Sequence, residues 1–152
     1  MVQKGTPTVL VVDDEVDIRT IVRVVFESAS PPIDIVGEAV DGDEALVAMR
    51  SLAAFGDPDV VILDHRMPGR SGIETARRIL EEVPDQPIIL FGTTISAELE
   101  AEATAAGIAA CIGKLDVHDL PALVASLAES STRSASLPRR RRRTPLTAPP
   151  RK

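Results

Sequence analysis

Apolar residues fall into five short blocks along this chain, and the first four are separated by stretches whose apolar positions recur with helical spacing. Val60-Val61-Ile62-Leu63 is the clearest block. Four consecutive aliphatic residues, three of them β-branched, predict a strand buried on both faces, and Pro68-Gly69 supplies the turn chemistry that follows it. Thr8-Val9-Leu10-Val11-Val12 predicts a second such strand, running into Asp13-Asp14. Ile33 to Ala39 alternates in part and suits an edge strand. Pro87-Ile88-Ile89-Leu90-Phe91 predicts a fourth strand, with Pro87 at its first residue, where no ladder donor is needed. Ile108 to Ile112 is the fifth, followed by Gly113-Lys114.

The intervening stretches predict helices. Ile18, Ile21, Val22, Val25 and Phe26 follow the i, i+3, i+4, i+7, i+8 pattern of one helix face, and Pro31-Pro32 stops that helix. Asp41 is placed as an N-cap with Glu44 in capping-box position, ahead of a stripe of Ala45, Leu46, Met49 and Leu52. Ser71-Gly72-Ile73-Glu74 is another capping box, opening a helix that buries Ile73, Ala76, Leu80 and Val83 and closes at Pro84. An Ala- and Glu-rich helix from about Ser96 to Ala106 ends at Gly107, a C′ residue. Leu120, Leu123, Val124 and Leu127 mark a last helix with Pro121 in its first turn.

Strand and helix thus alternate five times, which predicts an α/β fold: a doubly wound, five-stranded parallel (βα)5 sheet with helices on both faces. All strand carboxyl ends then share one edge. Asp13, Asp14, Asp64, Thr93 and Lys114, scattered in sequence, are expected to gather there. In open α/β sheets that edge is where ligands bind.

Composition adds three constraints. The 152 residues fit one domain with a short remainder, and with no Trp or Tyr the core falls to aliphatic side chains. No stretch approaches the roughly 20 apolar residues of a membrane span, and no secretory leader precedes the first strand, so a cytoplasmic protein is expected. Cys111 is the only cysteine, which leaves no internal disulfide and no zinc site, and it is read as a small buried hydrophobe. The net charge of −6 conceals two opposite regions: residues 129–152 carry eight Lys/Arg against one Asp/Glu, and residues 1–128 carry nine against twenty-two.

Three aspartates in one crevice repel one another unless a cation neutralises them. Hard oxygen donors supplied by few side chains suit Mg²⁺, which keeps waters and accepts phosphate oxygens. Lys114 adds a point charge suited to a phosphate, Thr93 or Thr94 a hydroxyl, and Asp64 becomes a candidate nucleophile forming an aspartyl phosphate. Phosphoryl transfer asks mainly for alignment and charge neutralisation, which this set offers without a general base.

These residues also carry a family resemblance. Val11-Val12-Asp13-Asp14-Glu15, then Leu63-Asp64-His65-Arg66-Met67-Pro68-Gly69 with Gly72-Ile73-Glu74, then Gly113-Lys114 resemble the signature of the CheY-like receiver domain of two-component response regulators. The resemblance covers roughly residues 7–128, and its wording is nearest to receivers of helix-turn-helix, NarL-type regulators. It implies the flavodoxin-like strand order 2-1-3-4-5. It also implies Asp64 as acceptor of a phosphoryl group from a sensor histidine kinase or phosphotransfer protein. Asp13, Asp14, Asp64 and the Arg66 backbone carbonyl would hold Mg²⁺, and Lys114 would contact the phosphate. The chain departs from the pattern at three places. Gly92 falls where the family's switch Ser/Thr stands, so that Thr93 substitutes only if the strand end is bulged; Cys111 replaces a common aromatic; Leu115 replaces the Pro that often follows the lysine.

Residues 129–152 are rich in Ser, Thr, Pro and Arg, with five consecutive arginines at Arg139 to Arg143. They are expected to be a disordered basic tail. A grip on nucleic acid or on the chain's own acidic domain is the alternative. No helix-turn-helix pattern follows the receiver-like segment. The expectation is a stand-alone receiver signalling through protein contacts, with receiver homodimerisation open to it, or a phosphate sink with an impaired switch. Asp13-Asp14-Glu15 lacks the spaced aspartate pair of strand-end phosphatases and no GxxxxGK loop is present, so an enzyme is not expected. His65 and His118 have no metal-ligand partner at suitable spacing and are read as loop and surface residues.

Overall fold

The computed structural model describes residues 5–134; residues 135–152, which include the arginine run and most of the expected tail, lie outside the described residues. Five strands, β1 (Thr8–Val12), β2 (Asp34–Ala39), β3 (Val60–Leu63), β4 (Ile88–Gly92) and β5 (Ala110–Gly113), alternate with five helices, α1 (Val16–Glu27), α2 (Gly42–Leu52), α3 (Gly72–Glu82), α4 (Ala97–Ala106) and α5 (Leu120–Ser134). A 3-10 segment, Lys114–Asp119, joins β5 to α5. All pairings are parallel and the order is β2-β1-β3-β4-β5, as the resemblance implies.

Alternation within each strand sends side chains to two cores. Leu10, Val12, Val61, Leu63, Ile88 and Leu90 meet α2, α3 and α4 on one face; Val9, Val11, Val60, Ile62, Ile89 and Phe91 meet α1 and α5 on the other. Every residue of β3 and β4 is buried. Each such Val, Leu or Ile contributes roughly 1.5–3 kcal/mol by leaving water, so the central strands hold the site edge rigidly.

Local signals set most boundaries. Ser71 and Glu74 form the full reciprocal capping box, and Asp41 accepts from the Glu44 amide. The Glu44 carboxylate goes instead to the Val40 amide, so α2 has half of the expected box. Gly107 closes α4 with φ of 96°, a left-handed turn that a β-carbon would strain.

Other expectations are corrected. Ile21 is 46% exposed, because Val22 and Phe26 take the line facing the sheet while Ile18 and Val25 flank it. Ile79 joins Ile73 and Ala76 as the buried face of α3, while Leu80 and Val83 are only partly buried. Cys111 is half-buried in edge strand β5, whose four residues are all partly exposed.

Candidate phosphoacceptor site

β1 and β3 are neighbours, with Val12 paired to Leu63, so the residues just past them, Asp13 and Asp64, stand side by side. Asp13 is 1% exposed and Asp64 5% exposed; Asp14 faces solvent. One carboxylate oxygen from each of Asp13, Asp14 and Asp64 lies within 4.8 Å of the others. Lys114, at the end of β5, reaches across: its Nζ is 2.9 Å from Asp13 Oδ2 and 3.2 Å from Asp64 Oδ1.

One ammonium serves two buried carboxylates, and they share it unequally. Burial, then the negative charge of Asp13, pushes the Asp64 carboxyl from 3.8 to about 6, with Lys114 opposing. Burial pulls Lys114 down, but Asp13 and Asp64 more than offset it, so its ammonium is held above its ordinary value.

Asp13 is fixed on several sides. Its amide donates to the Ala39 carbonyl at 3.0 Å, its Oδ1 accepts from the Glu15 amide at 2.9 Å, and its carbonyl accepts from Arg19 Nη1 at 2.6 Å. Its Oδ2 is buried without a hydrogen bond of ordinary geometry and meets only the lysine charge. A buried anionic oxygen with a free lone pair, amid three hard carboxylates, fits a small divalent cation such as Mg²⁺. The Asp13, Asp14 and Asp64 side chains would hold it.

Beyond Asp64 a cavity of ≈ 570 Å³ opens between the β3 and β4 ends and α4, lined by Asp64, His65, Arg66, Thr93, Thr94 and Ser96, with Glu98, Leu99 and Glu102 on its helical wall. Gly92 is the last residue of β4 and is buried. The β4–β5 register runs unbroken to Gly92 opposite Gly113, so the bulge that would bring Thr93 into the position of Gly92 is absent; the one register shift in the sheet lies between β1 and β2. Thr93 is therefore an exposed loop residue beside the cavity. A β-carbon on Gly92 would meet Ile95 Cδ1 at 3.3 Å and His65 Cβ at 3.7 Å.

The structure thus brings Asp13, Asp14, Asp64 and Lys114 into one cluster and sets Arg66 and Thr93 on the adjoining cavity wall. His118 is exposed, as expected. No sequence signal marks Arg19, which is bound to Glu38 on β2 across nineteen positions, or Glu98 and Glu102 on the cavity wall.

Comparisons agree with this geometry. A protein-glutamate methylesterase/protein-glutamine glutaminase of Nocardioides sp. is 40% identical over 133 residues, 86% of this chain and 34% of that protein. The nitrate/nitrite response regulator protein NarL of Escherichia coli is 36% identical over 87 residues, 57% of this chain and 38% of that protein. The chain therefore spans little more than a third of the length of these relatives. Among solved structures, the signal receiver domain of the putative response regulator NarL from Mycobacterium tuberculosis superposes with a TM-score of 0.72 at 29% identity, over 83% of this chain and 98% of that one. The response regulator domain of Thermotoga maritima CheB gives 0.67 at 26% identity, over 84% and 98%. With the response regulator receiver domain matching residues 9–125, the chain belongs to the receiver domain family of two-component response regulators.

Proposed function

We propose that this chain accepts a phosphoryl group on Asp64 from a phosphohistidine of a sensor kinase or phosphotransfer protein and signals through protein contacts. The observation that carries this reading is the buried Asp64 carboxylate, clustered with Asp13 and Asp14 and paired with Lys114 at 3.2 Å. A carboxylate made more basic by burial, yet mostly ionised at neutral pH, is a competent nucleophile. An Asp64 oxygen attacks phosphorus as the phosphorus–nitrogen bond of the donor breaks, and the imidazole leaves with the electron pair. Lys114 faces the oxygen where negative charge is added and offsets it. A bound Mg²⁺, held by Asp13, Asp14, Asp64 and the Arg66 carbonyl, would neutralise charge between carboxylates and phosphoryl oxygens. Thr93, on the cavity wall, would donate its hydroxyl to a phosphoryl oxygen.

The test is intact mass after incubation with acetyl phosphate. A gain of one phosphoryl group that requires both Mg²⁺ and Asp64, and is absent in Asp64→Ala, supports the reading; no gain in the wild type sinks it. Gly92 favours a second feature: without a hydroxyl at the β4 end, phosphorylation is read weakly across α4, β5 and α5, which suits a phosphate sink or relay shuttle. Chemical-shift mapping with beryllofluoride tests this, and large changes from Ile95 to Leu127 count against it.

A further inference from the structure

We infer that Arg19 is a positioning residue for the cation-binding aspartates, a charge-balanced clamp that orients the Asp13–Asp14 peptide without touching the ion. This rests on the reading of Asp13, Asp14 and Asp64 as the cation site.

Strand β1 ends at Val12, and its last rung toward β2 is the Asp13 amide on the Ala39 carbonyl. The Asp13 carbonyl belongs to the peptide that leads into Asp14, so the plane of that peptide fixes where the Asp14 side chain starts. Asp13 has its own side-chain restraints from the Glu15 amide and Lys114. Asp14 is solvent-exposed, so its placement depends chiefly on the backbone.

Arg19 supplies the restraint. From α1 its Nη1 donates to the Asp13 carbonyl at 2.6 Å, while its Nε donates to Glu38 Oε1 at 2.9 Å; its side chain is 15% exposed. Glu38 in turn binds Arg23 one helical turn on. The planar fork of the guanidinium allows both contacts in one orientation, which a lysine cannot match. Its partner Glu38 also balances its charge. An unbalanced guanidinium this close would repel a divalent cation, whereas the paired one holds the peptide and leaves the acidic field of the three aspartates in place.

The experiment is a Mg²⁺ titration of the full chain, followed by calorimetry and by amide chemical shifts, for wild type, Arg19→Gln, Arg19→Lys and Arg23→Gln. Loss of a residue that orients a ligand costs on the order of 10-fold or more in metal affinity, so Arg19→Gln is expected to bind Mg²⁺ about 10-fold more weakly. Arg19→Lys, able to keep one contact at a time, falls between. Arg23→Gln, which removes the other partner of Glu38 but leaves the Asp13 contact, stays within about twofold of wild type on the same grounds. A merely structural role would move melting temperature in both variants alike. As a second readout, Arg19→Gln should need about 10-fold more Mg²⁺ for half-maximal phosphorylation yet reach a similar rate at saturation. Wild-type Mg²⁺ affinity in Arg19→Gln overturns the inference, as does an equal loss in Arg23→Gln. If wild type binds Mg²⁺ but is never phosphorylated, the titration still decides on Arg19 and only the phosphoacceptor reading fails. A wild type that binds no Mg²⁺ at millimolar concentration overturns both.

Discussion

Gly72, the first residue of α3, packs so tightly under Asp64 that a β-carbon on it would lie 2.3 Å from the Asp64 carbonyl oxygen. Its amide also donates to the His65 carbonyl at 2.8 Å, closing the loop that follows the phosphoacceptor. That obstacle is backbone on both sides, so it cannot swing away as a side-chain tip would. Gly72→Ala is therefore expected to destabilise the fold by about 3 kcal/mol, toward the upper end of overpacking costs, and to displace Asp64. Urea unfolding together with amide shifts of Asp64 and His65 checks this. A stability within about 0.5 kcal/mol of wild type, the range of an unstrained surface change, would show that the α3 start yields instead.

The raised Asp64 carboxyl links stability to pH. Its folded value of about 6 exceeds the 3.8 of an unperturbed side chain, so the folded state holds this proton more tightly than the unfolded state does. Stability from this group is complete below about pH 4 and is lost as pH rises through about 6. Two pKa units correspond to about 3 kcal/mol, the cost of ionised Asp64 at neutral pH when no divalent cation is present. In EDTA at pH 7.5, Asp64→Asn is expected to be about 2–3 kcal/mol more stable than wild type, and the margin should shrink toward zero at pH 4. Added Mg²⁺ should then stabilise wild type more than the variant. A margin that does not vary with pH would assign the difference to packing.

A hydroxyl can be built at the end of β4. The tightest neighbour of a β-carbon on Gly92 is the terminal Cδ1 of Ile95 at 3.3 Å, the far end of a flexible side chain that need give only a few tenths of an ångström, so Gly92→Thr should fold. In the native chain, Thr93→Val is expected to slow phosphorylation by acetyl phosphate about 10-fold, less than the roughly 100-fold or more for losing a donor preorganised in a dry site, because Thr93 is exposed to solvent. In the Gly92→Thr background the same change should cost less than about twofold, because the new hydroxyl takes over and the two effects are not additive. Equal losses in both backgrounds would remove Thr93 from the phosphate contact.

Sequence alone was enough for the elements and for most of the cluster. Asp13, Asp14, Asp64 and Lys114 each follow directly on an apolar strand run, and in an alternating β-α chain such positions share one edge whatever the strand order. The Ser71–Glu74 box and Gly107 closed helices as expected because caps are set by residues three or four apart. Tertiary structure decided what depends on contacts distant in sequence. Which of Ile18, Ile21 and Val25 faces the sheet depends on the tilt of α1 over β1 and β2, and Ile21 lost. Thr93 missed the place of Gly92 because β4 and β5 pair without a bulge. The Arg19 contact to Asp13 needs Glu38 delivered by the neighbouring strand. The pH response of Asp64 arises only when β1, β3 and β5 bring two carboxylates and one ammonium together out of water, since burial and charge proximity are properties of the packed sheet.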